Sequence, residues 1–292
     1  MTELLGVVFS VAFVAQVLRI AVPYALAAMG GAVTERSGVV DLALEAKLLF
    51  GAFAVAAVGH ATDSALLGLG GGMAAGMAVA AVQVGIALGL GADQVIVGVA
   101  LNVVAAGGTR FLLQLLFHEG ANSPPCPAYG DVVLTNPIVW LTAVAAIAVP
   151  FALRRTRWGV RLRAAGDRPD ALVAVGVSPT RARLAAALVG GALAGAGGAQ
   201  LSLAVGGFVA DMSSGRGYIA LAMVILSGWR PAWAVIACLG VAIAEALSIA
   251  FQVTGVPVAQ ELIALLPYAT TLAVLIIFRG DRRAPPRSLG RI

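Results

Sequence analysis

The chain has 292 residues, of which 60% are hydrophobic and only 11% are charged, against roughly a quarter charged in an ordinary soluble domain. A mean hydropathy of +0.97 argues against a soluble enzyme with a polar shell. It also argues against a disordered chain, which needs low hydrophobicity and high charge. The composition therefore indicates a polytopic membrane protein.

Long apolar runs decide between helices and a β-barrel. Residues 64–92, 132–153, 184–210 and 262–278 contain no Asp, Glu, Lys or Arg, whereas barrel strands alternate polar and apolar residues over about ten positions. About 20 apolar residues cross a bilayer as a helix, so the sequence predicts an all-α polytopic fold in a single transmembrane domain, 1–292. The predicted segments lie near 4–31, 42–58, 65–90, 95–117, 136–153, 184–205, 216–228, 232–251 and 261–278.

In chain order, the first predicted segment is long and contains Arg19 and Pro23. It is either one crossing or a crossing preceded by a helix on the membrane surface. The seventh segment is shorter than the roughly 20 residues of a full helical crossing, so it is expected either to be bent or to enter only part of the bilayer. Glycines recur at a spacing of four within two segments, and small residues at that spacing let helices pack closely. They are Gly68, Gly72 and Gly76 in the third segment, and Gly191 and Gly195 in the sixth.

The basic residues orient the chain in the membrane. Eight arginines lie between Arg154 and Arg183, and five more lie in the tail after residue 278. Cytoplasmic loops carry the excess of Lys and Arg, so the loop 154–183 and the basic tail 279–292 are both predicted to be cytoplasmic. Counting crossings backwards places the Pro-rich loop 118–135 and the N-terminus outside.

Few ionisable side chains lie within the predicted spans, and such residues are costly in lipid and are usually functional or paired. Glu45 and Lys47 begin the second segment; residues two apart do not face each other on a helix, so we expect them not to pair, and snorkelling to the interface is an alternative. Glu245, in the eighth segment, is expected to face protein or a water-filled cavity. Asn102 and Gln83 are expected either to form interhelical hydrogen bonds or to line a pathway for a polar solute.

The loop 154–183 contains a pattern typical of a short capped helix. Asp167 is predicted to cap this helix, Pro169 and Asp170 lie in its first turn, and Gly176 is predicted to end it. Flanked by arginines, such a helix presents either a rigid contact for a soluble partner or a positive surface for anionic lipid.

Four blocks in collinear order carry a family resemblance. The segment 156–179 resembles the coupling segment of bacterial ABC importer permeases in the ribose, branched-chain amino acid and nucleoside superfamily. The block 34–45, which reads TERSGVVDLALE, resembles a nucleoside-type block that usually reads E-R-S-G-V-V-N-I-G-L-E-G. The block 93–102 resembles the one before the long outer loop. Residues 215–222, followed by Gly-Trp-Arg-Pro at 228–231, resemble the block after the sixth span.

The resemblance covers most of the chain and is closest to the shorter permease of nucleoside-type importers. It implies a heterodimer with a second permease, an ATP-binding cassette ATPase docked below, and a lipid-anchored binding protein that delivers solute from outside. It also implies the cytoplasmic (inner) membrane of a bacterium. ATP then belongs to the ATPase, so we expect no cofactor, no catalytic or metal-binding residue and no nucleic-acid partner for this chain.

Two sets of residues are predicted to carry this function. The translocation pathway is assigned to Asp41, Glu45, Gln94, Asn102 and Glu245. In the coupling loop, apolar side chains are expected to contact the ATPase, and arginines are expected to meet acidic residues or lipid head groups. The coupling set is Arg161, Arg163, Gly166, Asp167, Arg168, Pro169, Ala171, Leu172, Val175 and Gly176.

The block at 34–45 also departs from the usual nucleoside-type pattern. Asp41 replaces Asn, Ala43 and Ala46 replace glycines, and Lys47 follows. Because this block is expected near the pathway, these changes bear on the substrate. A purine nucleoside is the first expectation, and a sugar or a branched-chain amino acid is the alternative.

A membrane-embedded enzyme, such as a lipid-modifying transferase, is the competing class of function. It needs clustered acids or histidines at one membrane face, and the sequence shows no such cluster. A P-loop needs a lysine after a glycine-rich loop, and the only lysine, Lys47, follows Leu-Glu-Ala. The importer subunit is therefore the favoured prediction.

Overall fold

The computed structural model describes residues 10–129, 135–253, 269 and 284–290. Within these ranges every regular element is a helix, which confirms the predicted all-α class. The helices are α1 (Val11–Arg36), α2 (Leu44–Thr62), α3 (Ala65–Val84, continued by a π-helical turn Gly85–Gly89), α4 (Gln94–Phe117), α5 (Pro137–Arg155), α6 (Arg157–Asp167), α7 (Pro169–Ala174), α8 (Pro179–Val205), α9 (Arg216–Leu226) and α10 (Pro231–Val253).

Seven of the described helices are long and apolar enough to cross a membrane: α1, α2, α3 with its π-helical end, α4, α5, α8 and α10. The predicted seventh segment is instead the 11-residue helix α9. The predicted ninth segment, 261–278, lies outside the described residues apart from residue 269. The described part of the chain therefore supports seven candidate spans.

Helix α1 runs without a break through Arg19 and Pro23, so neither residue interrupts the first segment between residues 11 and 36. Its first turn is capped by Ser10, whose side chain accepts a hydrogen bond from the Phe13 N–H at 3.1 Å. Proline is tolerated within a transmembrane helix because neighbouring helices compensate for the backbone group it frees. The predicted residues 4–9 lie outside the described range.

The glycine spacing produces close packing of α3 against α8, as predicted. A Cβ atom added to Gly76 would lie 2.1 Å from the carbonyl oxygen of Gly191, and one added to Gly195 would lie 2.2 Å from that of Gly72. Real side chains do not approach backbone so closely, so at these points only glycine permits the approach of the two helices. Helix α8 is the most buried of the candidate spans and packs against α1, α2 and α3.

Helix α9 covers only part of the membrane. Its 11 residues extend about 16 Å at 1.5 Å per residue, against a hydrocarbon core of about 30 Å. The non-helical residues 206–215 precede it, and Phe208 and Ser213 among them are buried. Irregular backbone at membrane depth is tolerated where it is buried in protein or lines a water-filled cavity, and this segment is anchored in the protein by these two buried residues.

The loop 154–183 is helical for most of its length, and the prediction that Asp167 caps its helix is wrong. Asp167 is the last residue of α6, and α7 begins two positions later at Pro169 with no side-chain cap. The residue before a proline is disfavoured in the helical region. Accordingly Arg168 adopts φ −148° and ψ 73° and separates the two helices. The helix in this loop that does have a side-chain cap is α6, where Thr156 accepts a hydrogen bond from the Gly159 N–H at 3.1 Å.

The end of α7 is as predicted from Gly176. This glycine has φ +74°; its N–H donates to Val173 O at 3.0 Å, and the Val177 N–H donates to Leu172 O at 2.9 Å. These two bonds form a Schellman motif, which satisfies the last carbonyl groups of a helix and needs a left-handed residue. The motif fixes a compact α6–α7 unit between α5 and α8.

The contact between α3 and α8 can be tested with matched glycine substitutions. Gly76→Ala is expected to lower the unfolding free energy by about 1–3 kcal/mol, because the added methyl group overpacks the contact. Gly70→Ala lies on the same helix with nothing within 4 Å of its added Cβ, so it should leave stability unchanged or slightly raised. Thermal unfolding of the full chain in detergent measures both, and equal midpoints for the two variants would contradict the close contact.

Candidate functional site

The connection between α1 and α2, residues 37–43, leaves the helical path inside the protein. Ser37, Val39 and Asp41 in this buried turn are fully buried. A backbone polar group that is buried without a hydrogen bond costs several kcal/mol, and lipid offers no partner. The buried turn therefore depends on side chains from other helices.

Two glutamines on neighbouring helices satisfy both backbone groups of Val40. Gln94, at the start of α4, accepts from the Val40 N–H through Oε1 at 2.6 Å. Gln83, near the end of α3, donates through Nε2 to the Val40 carbonyl oxygen at 3.0 Å. The buried turn is thereby held between α3 and α4.

Asn102 closes the far end of the buried turn. Its Nδ2 donates to Leu42 O at 2.8 Å, and its Oδ1 accepts from the Ala46 N–H at 3.0 Å. Nδ2 also lies 3.1 Å from the hydroxyl group of Tyr218 on α9. The hydrogen-bonding role expected of Asn102 and Gln83 is thus confirmed, whereas a contact between Asn102 and solute stays a prediction.

Asp41 and Lys47 form an ion pair whose two side chains are both 0% exposed. These residues are two of the positions at which the block departs from the usual nucleoside-type pattern, so the two departures compensate each other. Snorkelling to the interface is wrong for Lys47, because the amine is enclosed by protein. The second carboxylate oxygen of Asp41, Oδ2, has no hydrogen-bond partner among the described residues.

Glu35 and Arg36, at the end of α1, connect the buried turn to the end of α9. Glu35 accepts from the Asp41 N–H at 3.2 Å and from the Trp229 indole N–H at 2.5 Å. Arg36 donates through Nε to the Trp229 carbonyl oxygen at 2.8 Å. Trp229 directly follows the turn that ends α9 and is therefore held on both sides.

Glu45 caps the start of α9 from the first turn of α2. Its carboxylate accepts from the Ser213 hydroxyl at 2.6 Å, the Gly215 N–H at 2.8 Å and the Gly217 N–H at 2.6 Å. A negative charge at a helix N-terminus is stabilised by the helix dipole. A Cβ atom at Gly217 would lie 2.4 Å from the Glu45 backbone nitrogen, so only glycine permits this approach. The prediction that Glu45 does not pair with Lys47 agrees with these contacts.

Glu245 faces protein, as expected, and belongs to a second cluster beside the start of α9. It accepts from Arg216 at 2.7 Å and from the hydroxyl group of Tyr24 at 2.8 Å. Arg216 also donates to Met212 O at 3.1 Å, and its guanidinium lies 5.8 Å from the centre of the Tyr24 ring. Glu45 and Glu245 therefore hold the same end of α9 from two directions.

A cavity of about 450 Å³ is lined in part by Arg216. This volume is within the range of about 300–1,000 Å³ that is usual for small-molecule sites. None of the five predicted pathway residues is among the described residues that line it. Its polar side chains, which our sequence reasoning missed, are Gln16, Arg19, Gln200 and Arg216. These residues could have been found in the sequence as polar residues inside otherwise apolar segments, the criterion that selected Asn102 and Gln83.

The predicted coupling residues divide by exposure. Arg161, Asp167, Arg168, Ala171 and Val175 are exposed. By contrast, Gly166 is buried and Leu172 is only 4% exposed, so the chain itself covers this leucine. Its neighbour Val173 is 63% exposed and Val175 is 71% exposed. The largest exposed apolar side chains at α7 are therefore Val173 and Val175, the residue that follows its last position.

The tail also contributes to the site, although the sequence predicted only a basic extension. Within the described segment 284–290, the N–H of Ser288 donates to Gly166 O at 2.8 Å, and its hydroxyl group accepts from Arg183 at 3.3 Å. The Gly290 N–H donates to Gly38 O at 3.2 Å. The tail thus connects the end of α6 to the buried turn.

Comparison with known proteins identifies the family of this chain. A family model described as the permease component of the branched-chain amino acid transport system matches residues 13–275. The chain belongs to this family.

The permease is also similar to curated proteins along most of its length. It is 31% identical to the guanosine ABC transporter permease of Bacillus subtilis over 91% of each chain. It is 29% identical to the nucleoside ABC transporter permease of Lactococcus lactis over 93% of each chain. A protein of Haloferax volcanii, named as a glucose ABC transporter permease, is 31% identical over 86% of each chain. No solved structure matches the permease.

The buried pair of Asp41 and Lys47 gives a direct test of the site. Asp41→Asn should destabilise the permease by about 3–5 kcal/mol, because it leaves a buried cation without its partner. The double variant Asp41→Asn/Lys47→Met removes both charges and should recover most of that loss. Thermal unfolding in detergent measures the three proteins.

A surface pair provides the control for this cycle. Arg110 and Asp211 form an ion pair with side chains 58% and 44% exposed, so Asp211→Asn should cost about 0–1 kcal/mol. A double variant no more stable than Asp41→Asn would show that the two charges do not depend on each other.

Proposed function

We propose that the permease is one of two membrane subunits of a bacterial ABC importer whose solute is a nucleoside. Its family is that of a transport-system permease component, and two similar proteins are named for nucleoside and guanosine transport. The observation that carries the proposal is this similarity along 91–93% of the chain. A separate ATPase supplies the energy, and a binding protein delivers the solute.

The cavity beside Arg216 is the solute site in this proposal. A nucleoside presents hydroxyl groups and a base edge, which need both donors and acceptors. The side-chain amide of Gln16 offers both kinds of group, whereas Gln200 accepts from Asn136 Nδ2 through its Oε1 at 3.1 Å and offers its Nε2 as a donor. Arginine offers donors only. Glu245 and Tyr24 then orient Arg216 at the wall of the cavity, whereas Asp41, Glu45, Gln94 and Asn102 act by holding the buried turn and α9.

In the proposed orientation the N-terminus is outside and the loop 154–183 and the tail are cytoplasmic, in the inner membrane of a bacterium. The arginines of that loop support this assignment, because cytoplasmic loops are rich in Lys and Arg. The α6–α7 unit then faces the ATPase. Its contacts through Gly166, Ser288 and Gly38 continue to the buried turn, so a movement of α6 can reach the start of α2.

A solute uptake assay tests the proposed substrate. In proteoliposomes with the complete importer, labelled guanosine should accumulate on addition of ATP, and unlabelled glucose in excess should not compete. Gln200→Leu should reduce uptake at low guanosine about tenfold, the effect of losing one or two hydrogen bonds. Gln114→Leu, which changes an exposed amide on α4, is the control and should leave uptake unchanged.

The sugar alternative rests on the relative named for glucose transport, and the same assay separates the two. Glucose uptake that guanosine does not inhibit would establish the sugar and would contradict the nucleoside proposal. Equal effects of Gln200→Leu and Gln114→Leu on guanosine uptake would remove the cavity as the solute site.

The coupling role is tested on the exposed Val173 of α7 and on Val175, just after its end. Val173→Asp/Val175→Asp should weaken ATPase binding by about 2 kcal/mol or more, the usual cost of losing an apolar interface anchor, and should abolish uptake. Thr180→Asp adds an acid at an exposed position of the first turn of α8, where negative charge is favourable, and serves as the control. Co-purification of the ATPase is measured together with uptake.

Normal co-purification and normal uptake by the valine variant would show that α7 does not contact the ATPase. Leu172→Asp is unsuitable for this purpose, because a buried charge in α7 is expected to disrupt the helix itself.

A further inference from the structure

The side-chain amide of Gln200, in the wall of the cavity beside Arg216, is held in one orientation. Gln200 is 2% exposed, and its Oε1 accepts a hydrogen bond from Asn136 Nδ2 at 3.1 Å. Asn136 is 5% exposed and directly precedes α5. Because Oε1 faces Asn136, the group that Gln200 has left to offer the cavity is Nε2, a donor.

A backbone group anchors this pair of amides. A side-chain amide can turn over and exchange its oxygen for its nitrogen, so its hydrogen-bond partners decide its orientation. The Ile138 N–H can only donate, and it donates to Asn136 Oδ1 at 2.9 Å, which caps α5. Nδ2 of Asn136 is then directed to Gln200, where it needs an acceptor. The start of α5 thereby fixes which end of the Gln200 amide the cavity can use.

The side chains of the cavity wall are consequently rich in donors. Arg216 uses N–H groups for Met212 O and Glu245, and its guanidinium has further N–H groups and no acceptor. Gln16 also lines the cavity and can offer a donor or an acceptor. No acidic side chain is among the described residues of the wall. A solute edge with two neighbouring acceptors therefore fits this wall better than an edge that carries a donor.

Purine nucleosides differ at such an edge of the base. A 6-oxopurine, as in inosine and guanosine, has two adjacent acceptors, the oxygen and the ring nitrogen beside it, whereas the 6-aminopurine of adenosine has a donor in place of the oxygen. Arginine pairs with the first edge through two N–H groups, and glutamine pairs with the second by offering its oxygen and its nitrogen together. Gln200 cannot make this second pairing while its Oε1 is bonded to Asn136.

We propose that Asn136 is a positioning residue that makes the cavity prefer 6-oxopurine nucleosides to 6-aminopurine nucleosides. The proposal rests on the proposed function, because it takes the cavity beside Arg216 as the solute site of a nucleoside importer. Asn136 is not among the described residues that line this cavity, and it acts through Gln200. It turns an amide that can read either base into one that only donates.

Two substitutions keep the cap of α5 and change what Gln200 can offer. Asn136→Asp retains an acceptor for the Ile138 N–H, and the start of α5 favours its ionised form, which has no donor. Gln200 then turns over, donates Nε2 to the carboxylate and presents Oε1 to the cavity. Asn136→Ser also caps a helix well, but its shorter side chain releases Gln200. Ser64→Asp changes the cap of α3 away from the cavity wall and is the matched control.

The experiment measures uptake of labelled inosine and of labelled adenosine, each at low concentration, by the complete importer in proteoliposomes. The binding protein is the same in every assay, so its own preference cancels when the inosine-to-adenosine ratio of a variant is divided by that of the native importer. The ratio should fall at least about tenfold in Asn136→Asp, where a matched hydrogen bond becomes an unmatched one, and about threefold in Asn136→Ser. Ser64→Asp should leave it unchanged.

An unchanged ratio in both Asn136 variants, or an equal loss of inosine and adenosine uptake, would overturn the proposal, because a purely structural role affects both solutes alike. A fall of the same size in Ser64→Asp would also overturn it. If the native importer takes up neither nucleoside, the proposed function is contradicted instead, and the proposal falls with it. Unfolding midpoints in detergent show which variants are folded, and Asn136→Ser decides the outcome if Asn136→Asp is not.

Discussion

Backbone that leaves the helix within a membrane must find its hydrogen bonds in protein, and the centre of the permease is built around this constraint. Two such stretches occur in the described part of the chain, the buried turn 37–43 and the segment 206–215 before α9. Side chains of α1, α3 and α4 satisfy the first. The segment 206–215 is held at its end by the carboxylate of Glu45, which accepts hydrogen bonds there. Glu45 lies in the first turn of α2, just after the buried turn. The two irregular stretches therefore stabilise each other.

Sequence blocks far apart along the chain meet at this centre. Glu35 of the first block contacts Trp229 of the last, and Asn102 of the second contacts Ala46 and Tyr218. The resemblance identified these blocks and the family, and the apolar runs predicted the spans, because both signals are local in sequence. Glu45, Asn102 and Glu245 were selected as polar residues of these spans, whereas Asp41 and Gln94 were selected from the resembling blocks just before two of them. Asp41 lies in the buried turn and pairs with Lys47, whereas the side chains of Gln94, Asn102 and Glu45 hydrogen-bond to backbone groups.

The remaining features depend on distances that the sequence does not contain. Lys47 pairs with Asp41 because the turn between them is not helical, and helical spacing could not indicate this. Arg168 separates α6 from α7 because a proline follows it. The sequence pattern alone is equally consistent with Asp167 as the cap of a helix. The cavity beside Arg216 is lined by Gln16, Gln200 and Arg216 from three helices, and no pattern within one helix marks them as neighbours. Leu172 is buried and Val173 is exposed because one side of the short helix α7 packs against other residues of the chain and the other side does not.

Hydrogen exchange across residues 37–47, in the full permease in lipid nanodiscs, tests the central claim most directly. The Val40 and Ala46 amides donate to the side chains of Gln94 and Asn102, so they should be as protected as amides inside α8. Protection of Ala46 should fall in Asn102→Ala and that of Val40 in Gln94→Ala. Amides of this turn that exchange as fast as those of the loop 118–128, or that do not respond to either substitution, would contradict the account.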